Sequence, residues 1–196
     1  MTTTVLLAGV GGQGTILASD VLAKVAAAAG LDVKLSEVHG MSQRGGSVDT
    51  VVRFGDRVHS PLADEGMVDV LIAFELLEGA RWAHFVKCGG GIFVNTRKIA
   101  PLPVMIGDAE YPGGLEAALE EAGAVLLDAD ALACEAGSPR SANVVMLGAL
   151  STALGFEEET WRDVIAARVP PATREANLKA FDLGRAACVA DRRCSA

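Results

Sequence analysis

The sequence predicts an α/β fold: a three-layer α/β/α sandwich with a mixed, mainly parallel sheet. Short runs rich in Val, Ile, Leu and Thr alternate along the chain with longer Ala-rich runs of helical periodicity, as expected of a sheet with helices on both faces. In addition, a glycine-rich turn at residues 9–14 follows the first apolar run and precedes the first helical one, as in a Rossmann-like βα unit.

Composition limits the classes of function that the chain can serve. With 17 Lys and Arg against 25 Asp and Glu, the 196-residue chain carries a net charge of −8, which disfavours binding to the phosphate backbone of nucleic acids. No apolar stretch is long enough to cross a membrane, and the N-terminus lacks the basic region of a signal peptide. We therefore expect a single cytoplasmic domain over residues 1–196, with neither nucleic acid nor membrane as its partner.

The four cysteines give no sign of a metal or cluster site. They are irregularly spaced, and none forms the C-x-x-C pair that is common in zinc and iron–sulfur sites. We expect no bound metal, and reduced thiols at Cys88, Cys134, Cys188 and Cys194.

Strands are expected where short β-rich runs are bounded by turn residues. The run at 68–73 is almost wholly apolar, which is typical of a strand covered on both faces. The run at 47–54 is followed by a Gly-Asp-Arg turn and a short return strand at 58–60, a hairpin that makes the sheet mixed. The proline-flanked run at 101–106 is compatible with an edge strand. The remaining strands are predicted at 4–8, 33–38, 92–95 and 125–128.

Helices are expected where apolar residues recur every three or four positions. The first shows this spacing from Ile16 to Val25 and ends before Gly30. The last two are separated by Pro170 and Pro171. The predicted helices span 15–29, 76–85, 115–122, 131–136, 143–154, 158–167 and 173–189.

The glycine-rich turn is the first candidate site. Gly9 permits a sharp turn, Gly11 a close backbone approach, and Gly14 the start of a helix whose free N–H groups favour an anion. Gly12 and Gln13 complete the motif and are further candidate binding residues. The alternative is a tight turn that binds no ligand.

The loop at residues 37–46, between two predicted strands, is the second candidate site. It carries an imidazole, an amide and a guanidinium between glycines that let the backbone bend or approach a neighbour. Arg44 is suited to clamp a carboxylate or phosphate and His39 to titrate near neutral pH, so these two are the catalytic candidates. An internal ion pair for Arg44 and an ordinary loop histidine at His39 stay open. The further binding candidates are Gln43, Gly45 and Gly46.

Five longer motifs follow one another along nearly the whole chain: GVGGQGTILASDVLAKVA at 9–26, SEVHGMSQRGGSVDTVVRFG at 36–55, VDVLIAFELLEGAR at 68–81, SANVVMLGAL at 141–150 and NLKAFDLGR at 177–185. Together they resemble the gamma-type subunit or domain of the 2-oxoacid:ferredoxin oxidoreductases. The glutamine in GGQG distinguishes the first motif from a dinucleotide fingerprint, and HGMSQRGG is similar to the indolepyruvate branch of the family.

The resemblance implies the beta subunit of a thiamine-dependent enzyme that decarboxylates indolepyruvate, or another arylpyruvate, with coenzyme A as co-substrate. The products would be an aryl-acetyl-CoA, carbon dioxide and reduced ferredoxin. The chain lacks a G-D-G thiamine motif, the nearest match being Gly107-Asp108-Ala109. The resemblance therefore assigns thiamine diphosphate, magnesium and iron–sulfur clusters to a larger alpha subunit. It leaves this chain to complete the side of the active site that receives substrate or CoA, with Asn143 of SANVVMLGAL helping to orient a loop.

Three alternatives stay open at this point. The chain could serve another branch of the family, acting on pyruvate, 2-oxoisovalerate or 2-oxoglutarate. It could be a free-standing NAD- or flavin-binding protein, with Glu37 as the ribose-binding acid after the second strand. It could also be a non-catalytic assembly protein. We expect the loops at 9–14 and 37–46 to lie near one another, at the carboxyl ends of neighbouring strands.

Overall fold

The computed structural model describes residues 1–39 and 46–190. Within these ranges, none of the helices combines the length and apolar character that crossing a bilayer requires. The strands are β1 (Thr2–Val10), β2 (Asp32–His39), β3 (Ser47–Gly55), β4 (Val68–Ala73), β5 (Val86–Asn95) and β6 (Val125–Leu127). The helices are α1 (Thr15–Ala28), α2 (Leu76–Trp82), α3 (Leu102–Met105), α4 (Leu115–Glu121), α5 (Ala129–Glu135), α6 (Ala142–Ser151), α7 (Glu158–Arg168) and α8 (Arg174–Ala190).

The strands form one six-stranded sheet in the order β2-β3-β1-β4-β5-β6. The pairs β1–β4, β4–β5 and β5–β6 are parallel, whereas β3 is antiparallel to both β2 and β1. Five of the six described strands thus run in one direction and β3 runs against them. The predicted mixed, mainly parallel sheet is confirmed.

The sheet carries two helical layers of unequal thickness, so the predicted three-layer arrangement is also confirmed. Along β1, Val5 and Leu7 point to one side of the sheet, and Leu6 and Ala8 to the other. We call the first side the five-helix face, because α1, α5, α6, α7 and α8 pack on it. The second is the two-helix face, where α2 and α4 contribute the buried helical side chains.

Two helices of the five-helix face pack backbone against backbone. A Cβ on Gly184 of α8 would lie 1.9 Å from the Val145 carbonyl oxygen of α6, and a Cβ on Gly148 would lie 2.1 Å from the Phe181 carbonyl oxygen. Only glycine allows this approach. From Asn143 to Ser151, α6 is buried throughout, so it forms the centre of this layer.

The return strand predicted at 58–60 is wrong. The antiparallel partner of β3 within the hairpin is β2, which precedes it in the chain. The segment after β3 is held by side chains instead: Asp32 Oδ2 accepts from Val58 N at 2.8 Å, and Arg53 Nη1 donates to Ser60 O at 2.9 Å. Because these side chains satisfy backbone groups of the segment, it needs no strand partner there.

The edge strand predicted at 101–106 is also wrong, because this segment contains the short helix α3. Pro101 precedes the helix, and its carbonyl accepts from Met105 N at 3.0 Å, while Leu102 O accepts from Ile106 N at 3.0 Å. Proline fixes a φ that suits the first helical turn, so it favours a helix start as readily as a strand edge. The side of β5 away from β4 pairs with β6.

Candidate functional site

A cleft opens at the carboxyl ends of β1 and β4, where the connections of the sheet diverge. These neighbouring parallel strands lead into α1 on the five-helix face and α2 on the two-helix face. In open α/β sheets, ligands bind at such a switch point. The cleft has a volume of about 420 Å³ and is lined by Gly12, Gln13, Gly14, Phe74, Asn95, Arg97, Pro139, Arg140, Ala142 and Asn143.

Gln13 fixes the glycine-rich turn across this cleft. Its Oε1 accepts from Val10 N at 2.7 Å, and its Nε2 donates to the Phe74 carbonyl at 2.7 Å, so one side chain joins the end of β1 to the residue after β4. A Cβ on Gly9 would lie 2.9 Å from Gln13 Oε1, which explains the glycine at that position. The GGQG motif therefore forms a turn braced against β4.

Asn143 of α6 holds the other end of the turn. Its Nδ2 donates to Gly14 O at 3.2 Å, and its Oδ1 accepts from Val144 N at 3.0 Å. Gly14 has a φ of +81°, and a Cβ there would lie 2.4 Å from Asn143 Nδ2, so both the conformation and the contact require glycine. Gly12 also has a positive φ, of +99°, and exposes its backbone at the cleft.

The second predicted loop meets the first at Gly46. Gly11 N donates to Gly46 O at 2.9 Å, and Val10 pairs with Ser47 at the start of β3. The expected proximity of the two loops is therefore confirmed at this point. The two strands that lead into the loops, β1 and β2, are not neighbours, however, because β3 lies between them. The candidates Gln43, Arg44 and Gly45 lie outside the described residues, as does the side chain of His39.

The strand order also removes the structural basis for Glu37 as the acid of a classical NAD site. That site needs the second strand beside the first and parallel to it. Here Glu37 pairs with Thr50 of β3, one strand further from the glycine-rich turn.

Arg97 and Arg140 bring positive charge to the cleft. Neither was among the site residues predicted from the sequence. Arg97 follows β5, and its Nη1 donates to Asp130 Oδ1 at 3.0 Å. Arg140 lies in the turn before α6, is exposed, and has no carboxylate partner in the part of the chain that the structure describes. Two guanidinium groups beside the N-terminus of α1 make the cleft suited to an anion, even though the whole chain is acidic. For Arg97 the sequence offered one signal, a charged residue just past the carboxyl end of a predicted strand; Arg140 follows no strand and gave no such signal.

A buried amide supports this wall of the cleft. Asn95, the last residue of β5, donates from Nδ2 to Asp130 Oδ2 at 3.0 Å and to Phe74 O at 3.3 Å, and its Oδ1 accepts from Ala129 N at 3.1 Å. Since Asn95 is almost fully buried, these bonds hold Asp130 in place. Asp130 in turn orients Arg97 towards the cleft.

A buried carboxylate lies where the second loop enters β3. Glu78 of α2 accepts from the Ser47 hydroxyl at 2.5 Å and from Trp82 Nε1 at 3.3 Å, and pairs with Arg81 at 3.2 Å. Burial, followed by the nearby Glu78 charge, raises the pKa of Asp49 above its ordinary value. The hydrogen bond from Ser47 thus anchors the start of β3 to α2 on the two-helix face, and Glu78 and Asp49 form an acidic cluster beside it.

Comparison with known proteins shows the family to which this chain belongs. The model of the pyruvate ferredoxin/flavodoxin oxidoreductase family matches residues 4–187. The chain is 43% identical over 187 residues, 92% of its length and 93% of the relative's, to the indolepyruvate oxidoreductase subunit IorB of Thermococcus kodakarensis.

Two solved structures share the fold. The gamma subunit of a keto/oxoacid ferredoxin oxidoreductase from Geobacter sulfurreducens is 25% identical with a TM-score of 0.71, over 96% of this chain and 99% of that one. A 2-oxoglutarate:ferredoxin oxidoreductase from Magnetococcus marinus, with 2-oxoglutarate, coenzyme A and succinyl-CoA bound, gives the same identity and TM-score. The match covers 96% of this chain but 31% of that longer one. The resemblance carried by the five motifs is confirmed, and the chain belongs to the pyruvate ferredoxin/flavodoxin oxidoreductase family.

Proposed function

We propose that the chain is the small (beta) subunit of a thiamine-dependent indolepyruvate (arylpyruvate):ferredoxin oxidoreductase. The observation that carries this proposal is the 43% identity, over nearly the whole chain, to an indolepyruvate oxidoreductase subunit. In the reaction, the bond between the carboxyl and carbonyl carbons of an aryl 2-oxoacid breaks and carbon dioxide leaves. The sulfur of CoA bonds to the carbonyl carbon, its proton is released, and the two electrons left by the broken bond pass one at a time to oxidised ferredoxin.

On this proposal, a larger alpha subunit holds thiamine diphosphate, magnesium and the iron–sulfur clusters, as the resemblance implies. Thiamine diphosphate supplies the electron sink for decarboxylation, and the clusters carry electrons to ferredoxin. This chain binds none of these groups alone. Its part is to bind and orient the co-substrate, and we expect the complex in the cytoplasm.

The phosphate groups of CoA are the ligand that we assign to the cleft. Guanidinium groups bind phosphate through paired hydrogen bonds, and Arg97 and Arg140 both line the cleft. The exposed backbone at Gly12 and the N-terminus of α1 add N–H groups suited to an anion. The relative from Magnetococcus marinus that contains bound CoA supports this class of ligand.

The second loop is proposed to contact the substrate from beside this cleft. Arg44 is suited to the carboxylate of the 2-oxoacid, with Gln43 and Gly45 next to it and His39 as the other catalytic candidate. The bond between Gly11 and Gly46 supports the assignment, because it brings the end of that loop to the glycine-rich turn.

The test is to express the chain with and without a candidate large subunit and to follow ferredoxin or viologen reduction by indolepyruvate and CoA. We expect activity only from the two subunits together. Pyruvate, 2-oxoisovalerate and 2-oxoglutarate are tested in parallel, and faster turnover of one of these would move the chain to another branch of the family. Oxidation of an aryl 2-oxoacid by the isolated chain would contradict the proposal.

The role of the cleft is tested in the active complex by Arg97→Ala and Arg140→Ala. We expect the KM for CoA to rise by about 10- to 100-fold in each, because a charge-assisted hydrogen bond is lost, while the KM for indolepyruvate stays within about twofold. Arg57→Ala, which removes an exposed arginine away from the cleft, is the matched control. If the KM for CoA in Arg97→Ala and Arg140→Ala stays as close to the wild-type value as it does in Arg57→Ala, the cleft is excluded as the CoA site.

A further inference from the structure

The segment between β5 and α4 presents apolar side chains to solvent. Leu102 and Met105 of α3, and Ile106 directly after it, are 66, 73 and 61% exposed. Their i, i+3, i+4 spacing places them on one side of the helical turn, and we call these three residues the apolar knob. Single exposed apolar residues are common, whereas a contiguous group is typical of an interaction site.

A buried carboxylate holds this segment at both ends. Glu75 is only 1% exposed, and its Oε1 accepts from Ile99 N at 3.0 Å and from the Tyr111 hydroxyl at 2.8 Å. Ile99 precedes the apolar knob and Tyr111 follows it, so one side chain at the start of α2 ties down both flanks. Its Oε2 accepts from Glu78 N at 2.9 Å.

The arrangement pre-organises the apolar knob. A buried carboxylate is tolerated only when hydrogen bonds compensate it, and here three donors do so. Burial, and then the Glu75 carboxylate, raise the pKa of Tyr111, which keeps its hydroxyl a donor. The helical turn ends at Gly107, with φ +83°, and Asp108 N donates to Pro103 O at 2.8 Å. A surface ordered before binding loses less entropy when it binds.

The position of the apolar knob and the charge of the residues beside it indicate which kind of partner suits it. The segment begins beside Arg97, which lines the cleft, so a partner seated on the knob would border the proposed CoA site. Two exposed acids, Asp108 and Glu110, follow the knob and form an acidic rim. A second copy of this chain would bring acidic rims and net charges of −8 together, which opposes self-association.

We propose that the apolar knob docks into an apolar pocket rimmed by Lys or Arg side chains on the larger subunit of the oxidoreductase. This inference rests on the proposed function, which requires such a subunit. In the Magnetococcus marinus relative, this chain matches 31% of a longer chain, so the equivalent unit there is one part of a larger polypeptide. That supports the existence of a larger partner, and the choice of surface rests on the exposed apolar knob and its acidic rim.

The experiment measures the dissociation constant between this chain and the large subunit by biolayer interferometry. The double variant Leu102→Gln/Met105→Gln is expected to bind about 100-fold more weakly, because apolar anchors at the centre of an interface carry most of its affinity. The double variant Leu62→Gln/Met67→Gln is the matched control, since these residues are 67 and 64% exposed on another segment. It should bind within about threefold of wild type. Thermal unfolding of both variants checks that the fold is retained.

The acidic rim is tested by Asp108→Asn/Glu110→Asn. Rim charges act chiefly on the association rate, so we expect association about fivefold slower at low salt, with little difference from wild type at high salt. An unchanged association rate at low salt would contradict a basic rim on the partner.

The docking proposal is overturned if the knob variant binds like wild type, or if the control variant loses as much affinity. It is also overturned if the isolated wild-type chain and the control variant form a dimer while the knob variant is monomeric. These outcomes differ from a failure of the proposed function, in which the wild-type complex assembles through the knob but does not oxidise aryl 2-oxoacids. A wild-type chain that binds no large subunit would overturn both.

Discussion

The two faces of the sheet are stabilised in different ways. On the five-helix face, α6 is buried along its length and meets α8 at Gly148 and Gly184 without intervening side chains, while Trp161 and Phe181 are fully buried. On the two-helix face, shorter helices are joined to the neighbouring segments through the hydrogen bonds of buried carboxylates. Close packing buries the large side chains at the centre of the first face, whereas the segment beside the second exposes the contiguous group Leu102, Met105 and Ile106 near the cleft. This difference is the basis for placing the proposed partner on the side of the two-helix face.

The largest effect should follow from breaking the closely packed face. In Gly184→Ala, the new Cβ would overlap the Val145 carbonyl oxygen, which belongs to a buried helix and cannot move aside freely. We expect the free energy of unfolding to fall by about 3 kcal/mol, as for severe overpacking. Urea unfolding followed by circular dichroism measures it. Gly155→Ala is the control, because a Cβ there has no described neighbour within 4 Å. Equal free energies of unfolding for the two variants would show that α6 and α8 can move apart without destabilising the fold.

The next largest effect should come from Glu75, the buried carboxylate at the start of α2. Glu75→Gln places an amide NH₂ group against N–H and O–H donors, so at least one hydrogen bond is lost. We expect a loss of about 2 kcal/mol, the magnitude for a hydrogen bond to a charged group. The control is Glu121→Gln, on the exposed surface of α4. A Glu75→Gln variant as stable as wild type in urea would remove the proposed distinction between the faces.

Tyr111→Phe sharpens the same comparison with a smaller change. It removes the hydroxyl that donates to Glu75 and keeps the ring, so we expect a loss of about 1 kcal/mol. In a double-mutant cycle with Glu75→Gln, the second change should cost less than it does alone, because the two groups share one hydrogen bond. Additive losses in thermal unfolding would mean that the two residues act independently.

The smallest effect concerns the acidic cluster at the start of β3. Because the folded protein raises the pKa of Asp49, the carboxyl favours folding when it is protonated and loses this contribution as the pH rises from about 4 through its folded pKa. Asp49→Asn removes the charge, so its melting temperature should exceed that of wild type by about 1 °C at pH 7. The difference should vanish near pH 3. A variant less stable than wild type at pH 7 would indicate that the Asp49 charge stabilises the fold.

Local sequence patterns by themselves predicted the candidate site only where its residues are close in sequence. Gly9, Gly14 and Gln13 belong to one turn, and a local motif was enough to identify them. The resemblance identified Asn143, since spacing alone gives no reason to pair it with Gly14, 129 residues away. Arg97 and Arg140 were missed, because neither lies in a motif and nothing in the sequence shows that β5 and the turn before α6 reach the same cleft.

Local periodicity was sufficient to establish the α/β class, most helices and strands, and the glycine-rich turn, because these depend on residues within a few positions of one another. The motifs spread along the chain were sufficient for the family. Strand order was decided only in three dimensions, since the insertion of β3 between β1 and β2 depends on pairing between distant segments. Tertiary contacts also decided the helix at 102–105, whose flanks are held by a buried carboxylate from α2 and whose prolines fit either a helix start or a strand edge.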